Sequence, residues 1–307
     1  MRIDVYINKA KTVCKSPFSI VNKAWRLFEP FVSDEIFLKV AFRLRVGYWP
    51  DLDMPKSYNE NLQWLKLHNK HPEYTQMVDK VAAKDYVASI VGDKYVIPTI
   101  EVWNSVEEIE WDKLPKQFVI KASHDSGGVV VCKDKDILDI DLAKYKLRGA
   151  GKKDYTKYTK EYPYYNVPHR FIAEQYMEDE SGFELKDYKF FCFDGEPKFL
   201  FVATGRQQHD TRFDFYDLDF NHLPVLNGHP NADIWPIKPQ NYDEMLDVAA
   251  KLSRGIPHVR VDLYNINGRI YFGELTFFHW SGMTPFEPRE WDYKFGSYFK
   301  LTGVSRE

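Results

Sequence analysis

Cysteine is scarce in this sequence, and its scarcity excludes two kinds of structural site. The cysteines, 3 among 307 residues, lie far apart, at Cys14, Cys132 and Cys192. Their spacing matches neither a zinc site nor a disulfide framework. Cys132 and Cys192 fall in apolar, strand-like runs, where a cysteine is usually a buried small hydrophobe. We therefore expect a protein of a reducing cytosol.

The sequence also lacks a large charge excess and a long apolar run. A formal net charge of −3 gives no general attraction to nucleic acid or to anionic lipid. No apolar stretch approaches the roughly 20 residues that a membrane span needs, and the N-terminus has no secretory signal pattern. We expect a cytoplasmic protein without a transmembrane segment. Basic amphipathic helices near the N-terminus leave peripheral contact with the inner membrane face as an alternative.

Aromatic residues, by contrast, are plentiful, at 16% of the chain. Many of them fall in residues 141–170, where tyrosines are interspersed with lysines and arginines. A solvated surface insertion is one interpretation of this stretch. The alternative is a basic, aromatic wall for an acidic glycan, because rings can stack on sugar faces and cations pair with carboxylates.

Apolar residues at helical spacing predict a helical N-terminal region over residues 1–74. Ser33 is placed to cap one helix of this region, and another helix opens at Tyr58. Residues 75–92 predict a single further helix that Gly92 ends. The first apolar stripe consists of Phe18, Val21, Trp25 and Phe28.

Capping signals predict two more helices further along the chain. Ser105 with Glu108, and Asn241 with Glu244, have the spacing of a capping box. Between the helices of the first half, a short strand is expected over Tyr95–Ile100.

A strand that carries a lysine, followed by a glycine-containing loop, begins the candidate binding site. Phe118–Ala122 is predicted to be a strand buried on both faces, with Lys121 near its end. Ser123–Gly128 is the loop, and Val129–Cys132 is the returning strand. A Walker loop runs from a strand into a helix, which this segment does not. A hairpin with exposed backbone N–H groups can still close over phosphates; the alternative is an ordinary turn.

Two further strand segments follow. Phe171–Met177 predicts a buried strand, and Lys186–Phe193 with Glu196–Gly205 predicts a hairpin that turns at Asp194-Gly195. Arg206 comes directly after this hairpin.

The last hairpin carries carboxylates on both of its strands. His258–Tyr264 and Arg269–Phe277 are predicted to pair, and the turn between them decides which side chains share a face. A three-residue loop with Gly268 in the left-handed position is the expected geometry. It sets Arg260 opposite Glu274. It thereby places four polar residues on one face: Arg260, Asp262, Glu274 and Thr276.

On that face, Asp262 and Glu274 become diagonal neighbours, about 7–8 Å apart at the backbone. One Mg²⁺ would fit between their carboxylates, because hard cations bind carboxylate and phosphate oxygens. A two-residue turn at Asn267 and Gly268 would instead send Glu274 to the face away from Asp262. The alternative is an ion pair between Arg260 and Glu274 on an exposed sheet.

The order of these segments resembles the ATP-grasp superfamily. The runs SYNENLQWLKL, DYKFFCFDGEPKF and RVDLYNINGRIYFGELTFF are more specifically similar to the TupA-like ATP-grasp proteins of bacterial surface-polysaccharide loci. The resemblance implies an α+β ATP-grasp fold, in which two lobes with antiparallel sheets grip ATP, plus the N-terminal helical region. It implies a small lobe with a linker helix and a flap over residues 75–175, and a large lobe with a metal site over residues 176–307.

The same resemblance implies a carboxylate–amine ligase. In such an enzyme ATP phosphorylates a carboxylate, and an amine attacks the acyl phosphate to give an amide, ADP and phosphate. The implied cofactors are ATP and Mg²⁺. The implied partners are an amine and a carboxylate of a small molecule or of an acidic glycan, such as a bacterial surface polysaccharide or its precursor.

Family roles carry over onto the matching positions of this sequence. The resemblance implies three groups of residues that contact the nucleotide: the phosphate-contacting lysines, the flap and the adenine hinge. They are Lys80, Lys121, Lys189, Ser123, Ser126, Gly127, Gly128, Glu174, Gln175, Tyr176 and Met177. The candidate metal ligands are Asp262, Glu274 and Thr276. The candidate catalytic residues are Arg260, Lys121 and Arg206, of which Arg260 would stabilise the tetrahedral intermediate.

Thr276 departs from the family pattern, since many ATP-grasp ligases have Asn at this position. A hydroxyl is a poorer metal ligand than an amide carbonyl, so a second Mg²⁺ stays open, with Asp187 and Lys189 as further candidates for metal or phosphate contact. Two other functions also stay open: a sugar kinase on the same fold, and a glycosyltransferase that uses Asp217-Leu218-Asp219 as a metal motif. The segment Asp217-Leu218-Asp219 equally predicts a turn before a strand.

Overall fold

The computed structural model describes residues 24–124, 127–150, 156–182, 184–206 and 210–301. Within these ranges the chain forms two antiparallel sheets with helices around them. The strands are β1 (Thr99–Trp103), β2 (Phe118–Ala122), β3 (Val129–Cys132), β4 (Phe171–Gln175), β5 (Asp187–Phe193), β6 (Glu196–Thr204), β7 (Arg212–Tyr216), β8 (His222–Leu223), β9 (Val259–Ile266) and β10 (Arg269–Thr276).

The helices of the same ranges are mostly short. The α-helices are α1 (Asp34–Val46), α2 (Tyr58–His68), α3 (Tyr74–Val78), α4 (Ala82–Val91), α5 (Ile140–Gly149), α6 (Thr156–Thr159), α7 (Tyr242–Leu252) and α8 (Glu290–Gly296). The 3₁₀-helices are Arg26–Phe31, Asp93–Tyr95, Val106–Glu108, Trp111–Lys113, Lys135–Ile137, Tyr162–Tyr164 and His279–Gly282. In the described part of the chain, no helix combines the length and the apolar character that a membrane crossing requires.

The two sheets have separate cores. The small sheet has four strands in the order β1-β4-β2-β3, and the large sheet has six in the order β10-β9-β5-β6-β7-β8. An apolar cluster around Phe118, Ile120 and Leu147 covers the small sheet. A larger cluster joins the large sheet to α2 and α7. The two sheets lie on either side of the predicted boundary at residue 176, and the boundary itself stays a prediction.

Helix α2 is built into the large sheet rather than attached to its surface. Ser57 and Glu60 form a capping box at its start, which confirms the predicted opening at Tyr58. The Tyr58 hydroxyl lies 2.9 Å from Nε2 of His258, the residue just before β9, and the backbone N–H of Asn59 donates to the carboxylate of Asp292 at 3.0 Å. The helix therefore bridges the sheet and the C-terminal helix α8.

The cap at Ser33 is also confirmed, since its hydroxyl accepts from the backbone N–H of Ile36 at 3.3 Å. The single helix predicted over residues 75–92 is wrong. The chain leaves α3 at Asp79, whose extended backbone and buried carboxylate start α4 by accepting from the N–H of Val81 at 3.0 Å. Lys80 lies in this break, so it belongs to neither helix.

Two predicted capping boxes are also wrong. Ser105 makes no capping hydrogen bond, and the segment after it forms two 3₁₀-helices. Asn241 has left-handed backbone geometry and makes no side-chain cap; its amide donates to the carbonyl of Gly268 at 2.8 Å. Glu244 accepts from the Tyr95 hydroxyl at 2.6 Å instead of closing a box.

The predicted strand over Tyr95–Ile100 is shifted, because Tyr95 ends a 3₁₀-helix and β1 begins at Thr99. Strand β7 was not predicted, and β8 is the short strand after the predicted turn at Asp217–Asp219. The strand assignments for β2 to β6 are confirmed, although β4 ends at Gln175 rather than at Met177. Phe18 and Val21 of the first stripe lie outside the described residues.

The stretch 141–170 is partly packed into the molecule. Lys160 is buried and forms ion pairs with Glu29 at 2.5 Å and with Asp34 at 2.8 Å. Tyr145 is 76% exposed on α5. The stretch therefore contains both a solvated helix and a buried anchor to the N-terminal region.

Candidate active site

The turn of the last hairpin has two residues, so the predicted three-residue loop is wrong. Ile266 pairs with Arg269, and the residues between them, Asn267 and Gly268, have φ angles of 53° and 83°. Positive φ at both central positions is the geometry of a type I′ turn, which an Asn-Gly pair favours.

The predicted shared face nevertheless exists, because a β-bulge shifts the register. Between Phe272 and Glu274 the pairing skips one residue, and Glu274 comes to lie opposite Asp262. Thr276 lies opposite Arg260, whereas the prediction placed Glu274 there. Without the bulge, the two-residue turn would have put the carboxylates on opposite faces.

Gly273 is the residue that makes this bulge compatible with close packing. A Cβ atom at this position would lie 3.1 Å from the carbonyl oxygen of Asp262 and 3.2 Å from the ring of Tyr264. These distances are shorter than ordinary van der Waals contact, so a side chain would push the bulge away from β9.

Strand β5 adds two more charged residues to the same face. Lys189 pairs with Asp262, and Asp187 pairs with Tyr264, across the β5–β9 ladder. Because side chains directly opposite in a ladder point to the same side, these residues join the carboxylates of the hairpin. We call Asp187, Lys189, Arg260, Asp262 and Glu274 the hairpin cluster.

Ion pairs connect the members of the hairpin cluster. Arg260 binds Asp262 through two hydrogen bonds of 2.7 Å, from Nε and from Nη2. Lys189 forms ion pairs with Asp262 and, at 3.5 Å, with Asp187. Asp187 also binds Arg206, whose side chain is 55% exposed. Each buried carboxylate here has a cationic partner, as buried charges require.

Asp262 and Glu274 have unequal affinities for a proton. Burial and the negative charge of Glu274 raise the pKa of Asp262, although Arg260 and Lys189 oppose them. Burial also opposes ionisation of Glu274, but the cations Lys189, Lys80 and Arg260 and a hydrogen bond with Asp262 lower its pKa to about 2. Two carboxyl groups in contact need a proton or a cation between them.

These oxygen donors fit a Mg²⁺ ion that is completed by phosphate. Among the residues that the structure describes, no group of three or more His, Cys, Asp or Glu side chains could hold a metal. Mg²⁺ is commonly bound by one or two carboxylates together with substrate phosphates and water. The Asp262–Glu274 pair matches that pattern, whereas a closed all-protein metal site does not occur in the described ranges.

Nη1 of Arg260 is held by a neutral histidine, His279. This Nη1 donates to Nδ1 of His279 at 2.7 Å, and Nε2 of His279 lies 2.8 Å from Oδ1 of Asn227. Burial, with Arg260 alongside, keeps the pKa of His279 well below its usual range. Nδ1 therefore accepts and Nε2–H donates. Thr276 also accepts from Arg260, at 3.0 Å, so its hydroxyl is already engaged.

His279 begins a strained turn. Trp280 and Ser281 have φ angles of 48° and 58°, and Gly282 has 60°. A left-handed non-glycine residue costs on the order of 1–3 kcal/mol and persists only where its surroundings enforce it. Here Lys66 donates to the carbonyl and the hydroxyl of Ser281 at 2.8 and 2.9 Å, and Gln63 donates to the carbonyl of Gly282 at 2.9 Å.

The small sheet carries a second charged group, which we call the lysine cluster. Glu174 of β4 is buried and pairs with Lys121 of β2 at 2.6 Å and with Lys84 of α4 at 2.5 Å. Burial opposes ionisation of Glu174, but the two lysines hold its pKa below the usual range. Two cations therefore share one carboxylate.

Tyr264 of β9 lies within the electrostatic reach of both clusters. Burial raises the pKa of this phenol well above its usual range, and it is raised further by carboxylates from both sheets, Asp187 and Glu274 on one side and Glu174 on the other. Lys80 acts on Glu274 from the break between α3 and α4. The chain thus brings together the lysines and the carboxylates that the sequence placed about 140 residues apart.

Some of the predicted flap residues are engaged in hydrogen bonds that hold the loop. Ser123 is buried, and its hydroxyl donates to the carbonyl of Pro168 at 2.6 Å and accepts from the N–H of Arg170 at 3.0 Å. That hydroxyl is engaged in holding the loop. The carbonyl of Gly128 accepts from Ala122 at 2.8 Å. Gly127 precedes Gly128 at the start of β3. Ser126 lies outside the described residues.

The hinge residues follow the end of β4. The backbone N–H of Gln175 donates to the carbonyl of Pro98 at 3.1 Å, and the Tyr176 hydroxyl donates to Glu178 at 3.0 Å. Met177 comes next and is partly buried. A groove of about 700 Å³ is lined by Gln175, Tyr176 and neighbouring residues, and it does not include the predicted phosphate ligands.

Sequence reasoning missed several residues of the site. Lys84 lies four residues after Lys80 in the sequence, and in the continuous helix predicted there this spacing could have suggested a second lysine on the same face. Tyr264 could have been found, since it alternates with Asp262 on β9. No local signal identifies His279, because its role depends on a contact with Arg260 through the folded chain.

Asp217 and Asp219 occupy a turn between β7 and β8. Asp217 accepts from the backbone and the side chain of Asn221, at 2.8 and 2.9 Å. This confirms the prediction of a turn before a strand and removes the main support for a glycosyltransferase metal motif.

Comparisons with known proteins found similar solved structures and a matching family model. Solved structures that match include the D-alanine–D-alanine ligase of Bacillus anthracis complexed with ATP, at 15% identity over 66% of this chain and 53% of that one, with a TM-score of 0.39. The D-alanine–D-alanine ligase of Helicobacter pylori matches at 13% identity over 81% and 70%, with a TM-score of 0.45.

The ATP-grasp ligase PsnB, solved with a minimal precursor, Mg and ADP, matches at 11% identity over 71% of this chain and 57% of that one, with a TM-score of 0.40. The chain thus spans little more than half the length of PsnB and of the Bacillus anthracis ligase. No curated protein matches the sequence. The model of the family described as TupA-like ATPgrasp matches residues 60–300. The chain therefore belongs to the TupA-like ATP-grasp family and has its α+β fold.

Proposed function

We propose that this protein is an ATP-dependent carboxylate–amine ligase that acts through an acyl phosphate. Its carboxylate belongs to a bacterial surface polysaccharide or its precursor, and its amine is an amino acid or a similar molecule. The observation that supports the proposal is that charged groups of both the lysine cluster and the hairpin cluster lie within the electrostatic reach of Tyr264. Cations and paired carboxylates from two sheets suit a reaction that brings a triphosphate and a carboxylate together.

The lysines would lower the repulsion between these two anions. ATP and a carboxylate substrate repel each other, so their charges must be neutralised before in-line transfer can occur. Lys121 pairs with Glu174, Lys80 lies close enough to Glu274 to lower its pKa, and Lys189 lies in the hairpin cluster. Lys84 keeps Glu174 paired when Lys121 turns towards a phosphate.

Arg260 is oriented for the second half of the reaction. A guanidinium has five N–H donors, and its neighbours Asp262, Thr276 and His279 account for four of them. Among the described residues, the second N–H of Nη1 has no partner. It would donate to the oxyanion that forms when the amine attacks the acyl phosphate.

Mg²⁺, when bound between Asp262 and Glu274, would supply further neutralisation of phosphate charge. The chain's own contribution is to hold the two carboxyl groups together. Thr276 offers only a neutral hydroxyl, whereas Asp262 and Glu274 offer the carboxylate oxygens that Mg²⁺ prefers, so these two carboxylates are the ligands that we propose.

The experiment is a phosphate-release assay with the purified full chain. ATP and Mg²⁺ are combined with a uronate oligosaccharide and a mixture of amino acids, and each substrate is omitted in turn. A ligase releases phosphate only when both are present, and the product mass equals glycan plus amine minus water. The carboxylate oxygen leaves with the phosphate, and the amine nitrogen loses a proton as the amide forms.

Phosphate release that needs neither substrate, or no ADP at all, would refute the ligase. The product also separates the second candidate function, a sugar kinase on the same fold. A kinase transfers the phosphoryl group to a hydroxyl, so the sugar gains the mass of a phosphate and no amide forms.

A further inference from the structure

The 3₁₀-helix Arg26–Phe31, just before α1, presents large apolar side chains to solvent. Leu27 is 74% exposed, Phe28 53% and Phe31 81%, although residues of these types are among those most often buried. Ile36, in the first turn of α1, is 51% exposed as well. Exposed apolar surface of this extent commonly marks an interaction site. We call Leu27, Phe28, Phe31 and Ile36 the apolar face.

The apolar face is held in place by the chain beneath it. The ring of Phe28 stacks on that of Trp25, with centroids 5.6 Å apart, and Trp25 stacks on Phe37 of α1 at 5.9 Å. The indole N–H of Trp25 donates to the carbonyl of Phe37 at 3.2 Å. Glu29, in the same 3₁₀-helix, pairs with the buried Lys160. Because these contacts fix the segment in advance, binding that covers the face costs little in conformational entropy.

The chain that leads into the apolar face is basic. Residues 1–26 contain six Lys or Arg and one Asp, a net charge of +5 in a chain whose total is −3. Arg26 itself belongs to the 3₁₀-helix and directly precedes Leu27. Clustered Lys and Arg are attracted to an anionic lipid surface over a short range. The attraction to anionic lipid that the chain as a whole lacks is therefore concentrated in this segment.

The carboxylates beside the apolar face are neutralised by lysines. Glu29 and Asp34 both pair with Lys160, and Glu35 pairs with Lys39 at 2.6 Å on α1. An unpaired carboxylate would repel the phosphate of a lipid headgroup. Because these ion pairs are formed within the protein, the carboxylates do not oppose docking on an anionic surface.

A bilayer suits this face better than a second copy of the chain does. A stable protein–protein interface buries roughly 800 Å² on each partner, over about 20–30 residues, which is far more than four side chains provide. A two-fold dimer would also bring the basic segments of both copies to one interface, where they repel each other. A bilayer surface needs only a few inserted apolar side chains beside basic residues.

We propose that the apolar face docks on a membrane surface that contains anionic lipids. The side chains of Leu27, Phe28 and Phe31 insert among the lipid headgroups, and the lysines and arginines of residues 1–26 are attracted to the lipid phosphates. Aromatic side chains favour this interfacial depth. Docking of this kind is independent of the reaction that the protein catalyses.

The test is a sedimentation assay of the full chain with lipid vesicles, without ATP or acceptor. One set of vesicles is phosphatidylcholine alone, and the other contains phosphatidylglycerol as well. We expect at least tenfold tighter binding to the anionic vesicles, and loss of this difference in about 1 M salt, where the Debye length is only about 3 Å. Equal binding to both sets, or no binding to the anionic vesicles, would overturn the proposal. Because no turnover is needed, the result does not depend on the ligase activity.

Matched variants test the apolar contribution. Leu27→Ser combined with Phe31→Ser removes two exposed apolar side chains, and it should weaken binding to the anionic vesicles at least tenfold. The control combines Ile137→Ser with Leu142→Ser, two similarly exposed residues on the side of the small sheet, and it should change nothing. An unchanged affinity in the first double variant would contradict the proposal.

A second pair of variants tests the contribution of charge. Lys9→Gln with Lys11→Gln should weaken binding to the anionic vesicles at least fivefold and leave binding to the neutral vesicles as it is. Lys113→Gln with Lys116→Gln removes two charges from exposed surface elsewhere and should change neither. An equal loss in both double variants would assign the binding to the net charge of the chain and overturn docking through this segment.

Hydrogen exchange on the wild-type protein covers a variant that fails to fold. On the anionic vesicles, peptides that include residues 24–36 should exchange more slowly than in the protein alone. Protection elsewhere, with none in these peptides, would overturn the proposal. Slower exchange of the same peptides without vesicles at high protein concentration, together with a dimer in sedimentation velocity, would assign the apolar face to a second copy and overturn membrane docking.

Discussion

The hairpin cluster and the lysine cluster solve the problem of buried charge in different ways. In the hairpin cluster, carboxylates and cations alternate across three strands, and Asp262 is completely buried. In the lysine cluster, two lysines share Glu174, and their side chains keep 18% and 11% of their exposure. With Arg206 counted, the hairpin cluster has three carboxylates and three cations before any ligand arrives, whereas the lysine cluster keeps a surplus cation for a polyphosphate.

This difference predicts that the two clusters fail in different ways when a charge is removed. A balanced, buried network should lose stability, because a partner is left unpaired. A cluster with a surplus cation at the edge of a cleft should lose ligand affinity first.

The largest effect is expected for Asp262→Asn. The variant leaves Arg260 and Lys189 without their shared counter-charge in a buried place, which costs about 3–5 kcal/mol of unfolding free energy. Urea denaturation measures the loss, and ligase activity should vanish with it. The control is Asp219→Asn on the exposed turn after β7, which should be neutral in both assays. A stable Asp262→Asn protein would show that the network is not held by this carboxylate.

Glu274→Gln should separate chemistry from stability in the same cluster. The Glu274 side chain is 43% exposed, its ion pair with Arg260 is long at 3.5 Å, and Gln keeps a hydrogen-bonding group beside Asp262, so the unfolding midpoint should change less than in Asp262→Asn. We expect kcat to fall by about 10²–10³-fold, the typical effect of removing one group that stabilises transition-state charge. Phosphate release and urea denaturation are compared on the same sample. Full activity would refute the metal role of Glu274.

A loss of about 2 kcal/mol of unfolding free energy at acidic pH is expected from His258, which lies just before β9. Burial lowers the pKa of His258 from 6.5 to about 3. The unfolded chain therefore takes up a proton below pH 6.5 that the folded protein excludes, and stability is lost as the pH falls towards 3. Between pH 6.5 and 5 this amounts to about 2 kcal/mol.

Urea denaturation at pH 7 and pH 5 checks this prediction. His258→Gln keeps a polar side chain beside Tyr58 and should remove this contribution, which leaves a flatter dependence on pH. An equal loss of stability in wild type and variant would assign the effect to other groups.

The smallest effect is expected in the lysine cluster. Lys121→Met should weaken ATP binding by about tenfold or more, since a hydrogen bond to a charged group contributes roughly 1.5–3 kcal/mol. Lys84→Met should change ATP affinity less, because Lys84 also donates to the carbonyl of Ile97 at 2.6 Å and serves the fold. Titration with a fluorescent ATP analogue gives both values. A larger loss in Lys84→Met would reverse the assignment of these lysines.

The sequence predicted the parts of the site that depend on local patterns. Alternating apolar residues and turn signals were sufficient for the strands that carry Lys121, Lys189 and Asp262. The shared face of the last hairpin was predicted, but from a three-residue turn that the structure does not have. A lone glycine in a strand pattern is itself a signal for a bulge, and Gly273 gave that signal unrecognised.

Long-range contacts explain the remaining errors. The break between α3 and α4 depends on Asp79, whose carboxylate pairs with Arg170, far along the chain. Asn241 was expected to cap a helix, but Gly268 of a distant turn binds its amide. Propensity and spacing contain no information about such partners, because the competing hydrogen bond exists only after folding.

The position of α2 has a consequence for how the chain reaches its native state. Its contacts span 200 residues to His258, 215 to Ser281 and 233 to Asp292. Contacts of such large sequence separation slow folding, because loop-closure entropy is lost before they form. During synthesis, α2 must wait for the turn at His279–Gly282 before its buried Lys66 can donate to Ser281. The strained turn beside Arg260 is therefore expected to be among the last elements to fold, and the protein gains its site only at the end of folding.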